Sequence, residues 1–135
     1  MSGLVVVDTS IASFVLRRDT RQELYEHHFR NVLVVVPFQV AAELHYGARI
    51  DDWGPRRVKA LDRYLSRHLV WGWDDMLSGA WVDVMGHARA IGRRLEPGDG
   101  WIAATAFALG APLLTHDSDF GDLELPGLEV ICYAR

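Results

Sequence analysis

The sequence predicts an α/β domain on a mainly parallel sheet flanked by helices, and three observations carry that expectation. Short continuous apolar runs alternate with longer stretches of helical period. The leading apolar runs are rich in valine, as strands covered on both faces require. Cap and turn residues punctuate most of the junctions between them.

Taken in order, Leu4–Val7 is a strand pattern, and Asp8, Thr9 and Ser10 are the cap residues that open a helix over Ile11–Arg18. Val32–Val36 is the second strand. Pro37 ends it and suits the first turn of a helix over Phe38–Ile50. Helical pattern resumes over Arg56–Arg67, and Leu69–Trp71 is a short strand. Asp74 or Asp75 caps a longer helix in which Leu77, Trp81, Val84, Ala88, Ile91 and Leu95 recur on one face. Pro97 and Gly98 break it, and Asp99 is the expected cap of a helix over Trp101–Leu109, stopped by Gly110 and Pro112. Leu113–Thr115 is a brief strand, His116–Asp119 a polar turn, and Glu129–Tyr133 the last strand.

A chain of 135 residues is the size of one domain, so residues 1–135 are expected to share one core. Half of the residues are apolar and 24% are charged, the profile of a globular protein. No apolar run approaches the roughly 18–20 residues needed to cross a bilayer. The N-terminal run lacks the basic segment and cleavage site of a signal peptide, so a cytoplasmic location without membrane partners is expected. Cys132, the only cysteine, excludes an internal disulfide and falls in an apolar strand pattern that places it in the core. The net charge of −4 does not announce a nucleic-acid binder. The basic residues are nevertheless unevenly chosen: Lys59 is the only lysine, and arginine forks match phosphate oxygens well.

In open parallel sheets, ligands bind beyond the carboxyl ends of the strands. Asp8 stands at the end of the first strand, and Asp117 and Asp119 follow the one ending near Thr115. Asp99 opens a helix. Each has an ordinary role open to it, as a helix cap or a turn residue. Glu43 sits in a helix apolar almost all round, where a lone carboxylate is costly unless paired or metal-bound. Carboxylates meeting in one place repel one another unless cations lie between them, and oxygen-only ligands suit Mg²⁺ or Mn²⁺. Arg89 and Arg93, four apart on the expected long helix, are candidates for contact with an RNA backbone, with a solvated helix face as the plainer role. His116 reads as a surface turn residue. Trp81 and Trp101 read as packing residues, in the core or at a dimer contact, rather than as a base-stacking platform.

Four segments together resemble the PIN-domain nucleases, most closely the VapC-type toxins of bacterial toxin–antitoxin pairs. They are Val-Val-Asp8-Thr-Ser, Ala-Ala-Glu43-Leu-His-Tyr-Gly47, Asp99-Gly-Trp-Ile-Ala-Ala-Thr-Ala and Leu-Leu-Thr115-His-Asp117-Ser-Asp119-Phe, which span nearly the whole chain in the family's order. The resemblance implies a Mg²⁺-dependent (or Mn²⁺-dependent) endoribonuclease with Asp8, Glu43 and Asp99 as the core acidic residues. Asp117 is the fourth by that match, ahead of Asp119, with Ser10 and Thr115 in support. It also implies an RNA substrate, a homodimer, and a VapB-type antitoxin whose chain occupies the groove. The glycine after Asp99 stands where relatives often carry a bulkier residue.

Two other classes compete. A phospho-acceptor domain using Asp8 lacks a lysine following a strand, and the chain has no phosphate-binding or dinucleotide-binding glycine motif. A catalytically silent binding module of the same fold conflicts with the complete acidic set.

Overall fold

The computed structural model describes residues 3–134. Strands β1 (Leu4–Val7), β2 (Leu33–Pro37), β3 (Leu69–Trp71), β4 (Leu113–Thr115) and β5 (Val130–Cys132) form one sheet in the order β3-β2-β1-β4-β5, every pairing parallel. Val5–Val7 and Val34–Val36 are all buried, including residues that point to opposite faces, which is why these runs are continuous rather than alternating. The chain moves outward from β1 through β2 to β3, then returns to lay β4 and β5 on the other side. That reversal makes the β1–β4 junction the topological switch point of the sheet. There Val6 pairs with Leu113 and Val7 with Leu114, so the strand ends carrying Asp8 and Thr115 lie side by side.

Five helices connect the strands: α1 (Thr9–Arg17), α2 (Phe38–Ile50), α3 (Pro55–Arg67), α4 (Asp75–Ala90) and α5 (Pro97–Leu109). Helices α1, α2 and α3 touch one another, α4 packs on α5, and α5 also reaches α2, β1 and β2. Asp74 is the cap of α4, its carboxylate accepting from Leu77 N. Among the described residues no helix is long and apolar enough to cross a membrane.

Several expectations are corrected. Asp99 does not cap α5: Glu96 occupies that position, and Pro97 begins the helix instead of breaking the preceding one. Proline is favoured there because the N–H it lacks would have no helical partner. Asp99 therefore lies within the first turn. Helix α4 ends at Ala90, with Gly92 at φ 73°, so Arg89 and Arg93 do not share a helix face. Leu95 is buried, but Ile91 is exposed. Cys132 is only half-buried, because β5 is an edge strand with a neighbour on one side. A 3-10 segment, Thr20–Phe29, lies between α1 and β2 with no apolar period to announce it. It is fastened by Tyr25, which is fully buried.

Candidate active site

Asp8 is the helix cap that its place before α1 allows, and its second oxygen reaches across the sheet. Its Oδ1 caps α1, accepting from Ile11 N at 3.0 Å and from Ser10 Oγ at 2.6 Å. Its Oδ2 accepts from Thr115 Oγ1 at 2.5 Å across the β1–β4 junction. Only 4% of Asp8 is exposed. Burial raises its pKa above the ordinary carboxylate value, the three donors pull it down, and the Asp117 charge raises it further. Ser10 and Thr115 extend this wiring. Ser10 Oγ also accepts from His116 N at 3.0 Å, and Thr115 Oγ1 accepts from Asp117 N at 2.9 Å.

Glu43 is held from both sides. Thr9 Oγ1 donates to its Oε1 at 2.9 Å, and Gln39 Nε2, one turn earlier on α2, donates to its Oε2 at 2.8 Å. Neither Thr9 nor Gln39 was singled out from sequence. Thr9 was legible only as a cap residue, whereas Gln39 carried a usable signal in its spacing of four from Glu43. Gly98 lets α5 approach this pair, since a Cβ there would stand 2.8 Å from Gln39 Nε2 and 3.8 Å from Glu43 Oε2.

Asp99 is different. Half-buried in the first turn of α5, its carboxylate has no hydrogen-bond partner among the described residues, and its pKa is pushed up to about 6. Burial is the main cause, followed by the charges of Asp117, Glu43, Asp8 and Asp119 in that order. Asp117 thus acts more strongly on Asp99 than Asp119 does, and it is also the charge acting on Asp8. Asp117 Oδ1 accepts from Asp119 N at 2.9 Å, while Asp119 itself is exposed.

The site therefore brings Asp117, Glu43, Asp8 and, with the smallest effect, Asp119 into electrostatic range of Asp99, and Asp117 into range of Asp8. Among the described residues none of these carboxylates forms an ion pair with a basic side chain. Nor do any three acidic, histidine or cysteine groups among the described residues stand close enough to ligate one ion as they are. Hydroxyl and amide donors instead take up lone pairs of Asp8 and Glu43. The donor set fits a hard divalent cation, which would remove the repulsion that raises Asp99.

His116 is not a surface turn residue. It is half-buried, edge-on to Phe14 and Tyr25, with Nδ1 at 2.7 Å from Tyr25 Oη. Tyr25 Oη also lies 2.8 Å from the Thr115 carbonyl, which can only accept, and 2.9 Å from Tyr133 N, which can only donate. The one hydroxyl proton goes to Thr115, so His116 Nδ1 carries a proton and donates to Tyr25. Arg93 is engaged as well, its guanidinium donating to Asp122 Oδ2 at 2.9 Å and to the Asp119 carbonyl at 3.0 Å. It braces the segment after Asp117, while Arg89 is exposed on α4. Trp81 and Trp101 stack at 5.1 Å, Phe38 lies 5.8 Å from Trp101, and Trp81 Nε1 donates to the Pro97 carbonyl at 3.2 Å. These aromatic rings pack beneath the turn that presents Asp99.

A family model of the PIN domain matches residues 5–125. The chain belongs to the PIN domain family. Ribonuclease VapC4 of Mycobacterium tuberculosis (strain ATCC 25618 / H37Rv) is 42% identical to this PIN domain over 60 residues, 44% of this chain and 45% of VapC4, so the matched stretch spans less than half of that relative. The structure of VapBC-5 from M. tuberculosis, of the VapBC family of toxin–antitoxin systems, is similar with a TM-score of 0.76 and 27% identity, covering 96% of this chain and 98% of that one. VapBC2 of Rickettsia felis, bound to a DNA fragment from their promoter, has a TM-score of 0.82 at 21% identity and the same coverage, a likeness of fold. The resemblance of this PIN domain to VapC-type chains thus holds in sequence and in architecture.

Proposed function

We propose that this PIN domain is a metal-dependent endoribonuclease acting as the toxin of a toxin–antitoxin pair. One observation carries the chemistry: Asp99, beside the switch point of the sheet and with no basic partner among the described residues, is pushed up to about 6 by burial and by the charges of Asp117, Glu43, Asp8 and Asp119. Asp8, Glu43, Asp99 and Asp117 are the residues that would hold Mg²⁺ or Mn²⁺. When bound, the cation supplies a water of lowered pKa and a counter-charge for the scissile phosphate.

The chain's own groups do the rest. Ser10 and Thr115 aim the two oxygens of Asp8, and Thr9 and Gln39 fix Glu43, so neither carboxylate must be ordered on substrate arrival. Asp99 keeps lone pairs that no hydrogen bond among the described residues occupies, the quality of a group that would ligate a cation directly. Without a cation the groove repels RNA, which couples substrate admission to metal occupancy.

RNA cleavage by the wild type in Mg²⁺ and in chelator, beside Asp8→Asn and Asp99→Asn, tests the activity. Cleavage that persists in chelator, or in both variants, sinks the assignment. The toxin role draws on the VapC and VapBC relatives. It predicts growth arrest when the chain is expressed alone in a bacterial host, relieved by its neighbouring small reading frame. Unimpaired growth contradicts it. A VapB-type partner and a homodimer belong to the same proposal.

A further inference from the structure

Apart from Arg93, which braces the segment after Asp117, the carboxylate site engages none of the arginines that dominate the basic residues of this chain. They gather elsewhere. Helix α1 has Asp8 at one end and Arg18 at the other, and nine residues of α-helix rise roughly 13 Å between them. At the far end, α1, α3 and the turn through Trp53 enclose a cleft of about 420 Å³ lined by Leu16, Arg18, Trp53, Arg56, Arg57 and Arg63, among others. A second hollow of about 390 Å³ beside it is lined by Pro55, Arg56, Lys59 and Arg63.

Helix α3 carries Arg56, Arg57, Lys59, Arg63 and Arg67 against a single acidic residue, Asp62. Arg56, Lys59, Arg63 and Arg67 fall on one stripe of the helix, at spacings of three and four. All of these side chains and Arg18 are exposed, and none makes an ion pair among the described residues. The Arg57 guanidinium lies over the Trp53 ring at 4.1 Å. Trp53 Nε1, in the same wall, is the one buried side-chain polar atom among the described residues without a partner. A stripe of like charges without counter-ions costs self-repulsion in the free protein. In a chain of net charge −4 it marks a place where anions are expected from outside.

We propose that this stripe and cleft bind the sugar–phosphate backbone of RNA, one length of α1 from the carboxylate groove. The inference rests on the ribonuclease reading above and adds a second RNA-binding region to it. Guanidinium forks match phosphate oxygens two bonds at a time, and a charged stripe along a helix suits a ligand whose charge repeats. The face of Trp53 is already covered by Arg57, so the cleft offers little apolar purchase for an acidic peptide anchored by side chains. RNA held at both ends of α1 lies across the site with its reacting segment fixed, while the repulsive groove alone would hold it poorly.

The test uses the whole chain and a labelled single-stranded RNA long enough to reach both regions, in chelator so that nothing is cut. Arg56→Gln/Arg63→Gln, at exposed positions, is expected to fold like the wild type and bind that RNA about tenfold more weakly at moderate salt. The slope of log affinity against log salt falls by about 1.4, roughly 0.7 for each phosphate of a single strand that the variant no longer neutralises. Arg56→Lys/Arg63→Lys keeps the slope and binds only slightly more weakly than the wild type. With Mg²⁺ restored, the glutamine variant cleaves the long RNA with raised KM and unchanged kcat, and an RNA too short to reach the cleft as the wild type does. Unchanged affinity and slope, for an RNA that the wild type cleaves, overturn the proposal. So does loss of binding to polyglutamate with RNA binding intact. A wild type that binds RNA with this arginine-dependent slope yet never cuts it overturns the ribonuclease reading and supports the cleft.

Discussion

The two sides of the acidic groove are built on opposite principles. On the side of β1 and β4, Asp8 is nearly inaccessible and every donor around it is spoken for: Ser10, Ile11 and Thr115 hold its oxygens, and Thr115 also takes the Asp117 N–H. On the side of α5, Asp99 has no hydrogen bond and faces four other carboxylates. The first carboxylate is part of the fold, since it caps a helix and ties two strands. The second is a charge that the fold tolerates. A site assembled in this way is half scaffold and half unsatisfied demand, and under the proposed function a cation would answer the demand.

That contrast breaks most visibly in stability. Asp8→Ala strands a helix N-terminus and two hydroxyls, and is expected to cost about 2–3 kcal/mol. Asp99→Ala removes repulsion and leaves no partner behind, so the metal-free chain should melt at the same or a higher temperature. Both variants lose cleavage. Melting curves in chelator decide the point, and a large destabilisation by Asp99→Ala would erase the distinction.

The pH dependence sharpens it. The Asp99 pKa of about 6 is raised above its unfolded value, so the stability this group contributes is fully present below about pH 4 and lost as pH rises through 6. Asp8 is shifted in the same direction. The metal-free protein should therefore melt higher at pH 5 than at pH 7, with Mg²⁺ narrowing the gap by stabilising the pH 7 form. A melting temperature flat across this range would count against the repulsion.

Smaller effects probe the supports. Thr115→Val removes the hydroxyl shared by Asp8 and Asp117, and activity should fall about 10–100-fold at a stability cost of about 1 kcal/mol. Gly98→Ala drives a methyl against Gln39 Nε2, the flexible end of a side chain, so it should loosen Glu43 and lower activity less than tenfold without unfolding the chain. Gly100→Ala is the control, because its methyl meets Met85 Sδ at 2.5 Å and Trp81 Nε1 at 2.9 Å within the α4–α5 packing. It should destabilise by about 1–3 kcal/mol.

Much of this was legible in the residues. The valine runs announced β1 and β2 because strands buried on both faces leave no other pattern, and α2 starts at Phe38 and ends at Ile50 as expected. Pro97 misled because one residue type both ends helices and begins them, and the same confusion made Asp99 a cap rather than a first-turn residue. The segment around Tyr25 was silent. Its value lies in one hydroxyl reaching Thr115, His116 and Tyr133, residues some 90 to 108 positions away, and no local period records such a contact. The acidic residues could be named from sequence, but which was wired and which was not depends on neighbours brought by the sheet order.

Calorimetric titration of Mn²⁺ into the wild type at pH 6, in buffers of different ionisation enthalpy, decides whether Asp99 ligates a cation. If Asp99 is a carboxylate awaiting a cation, binding displaces about half a proton from it at that pH, and Asp99→Asn binds weakly and releases fewer protons by that amount. Binding without proton release, with an affinity that Asp99→Asn leaves unchanged, would contradict the account.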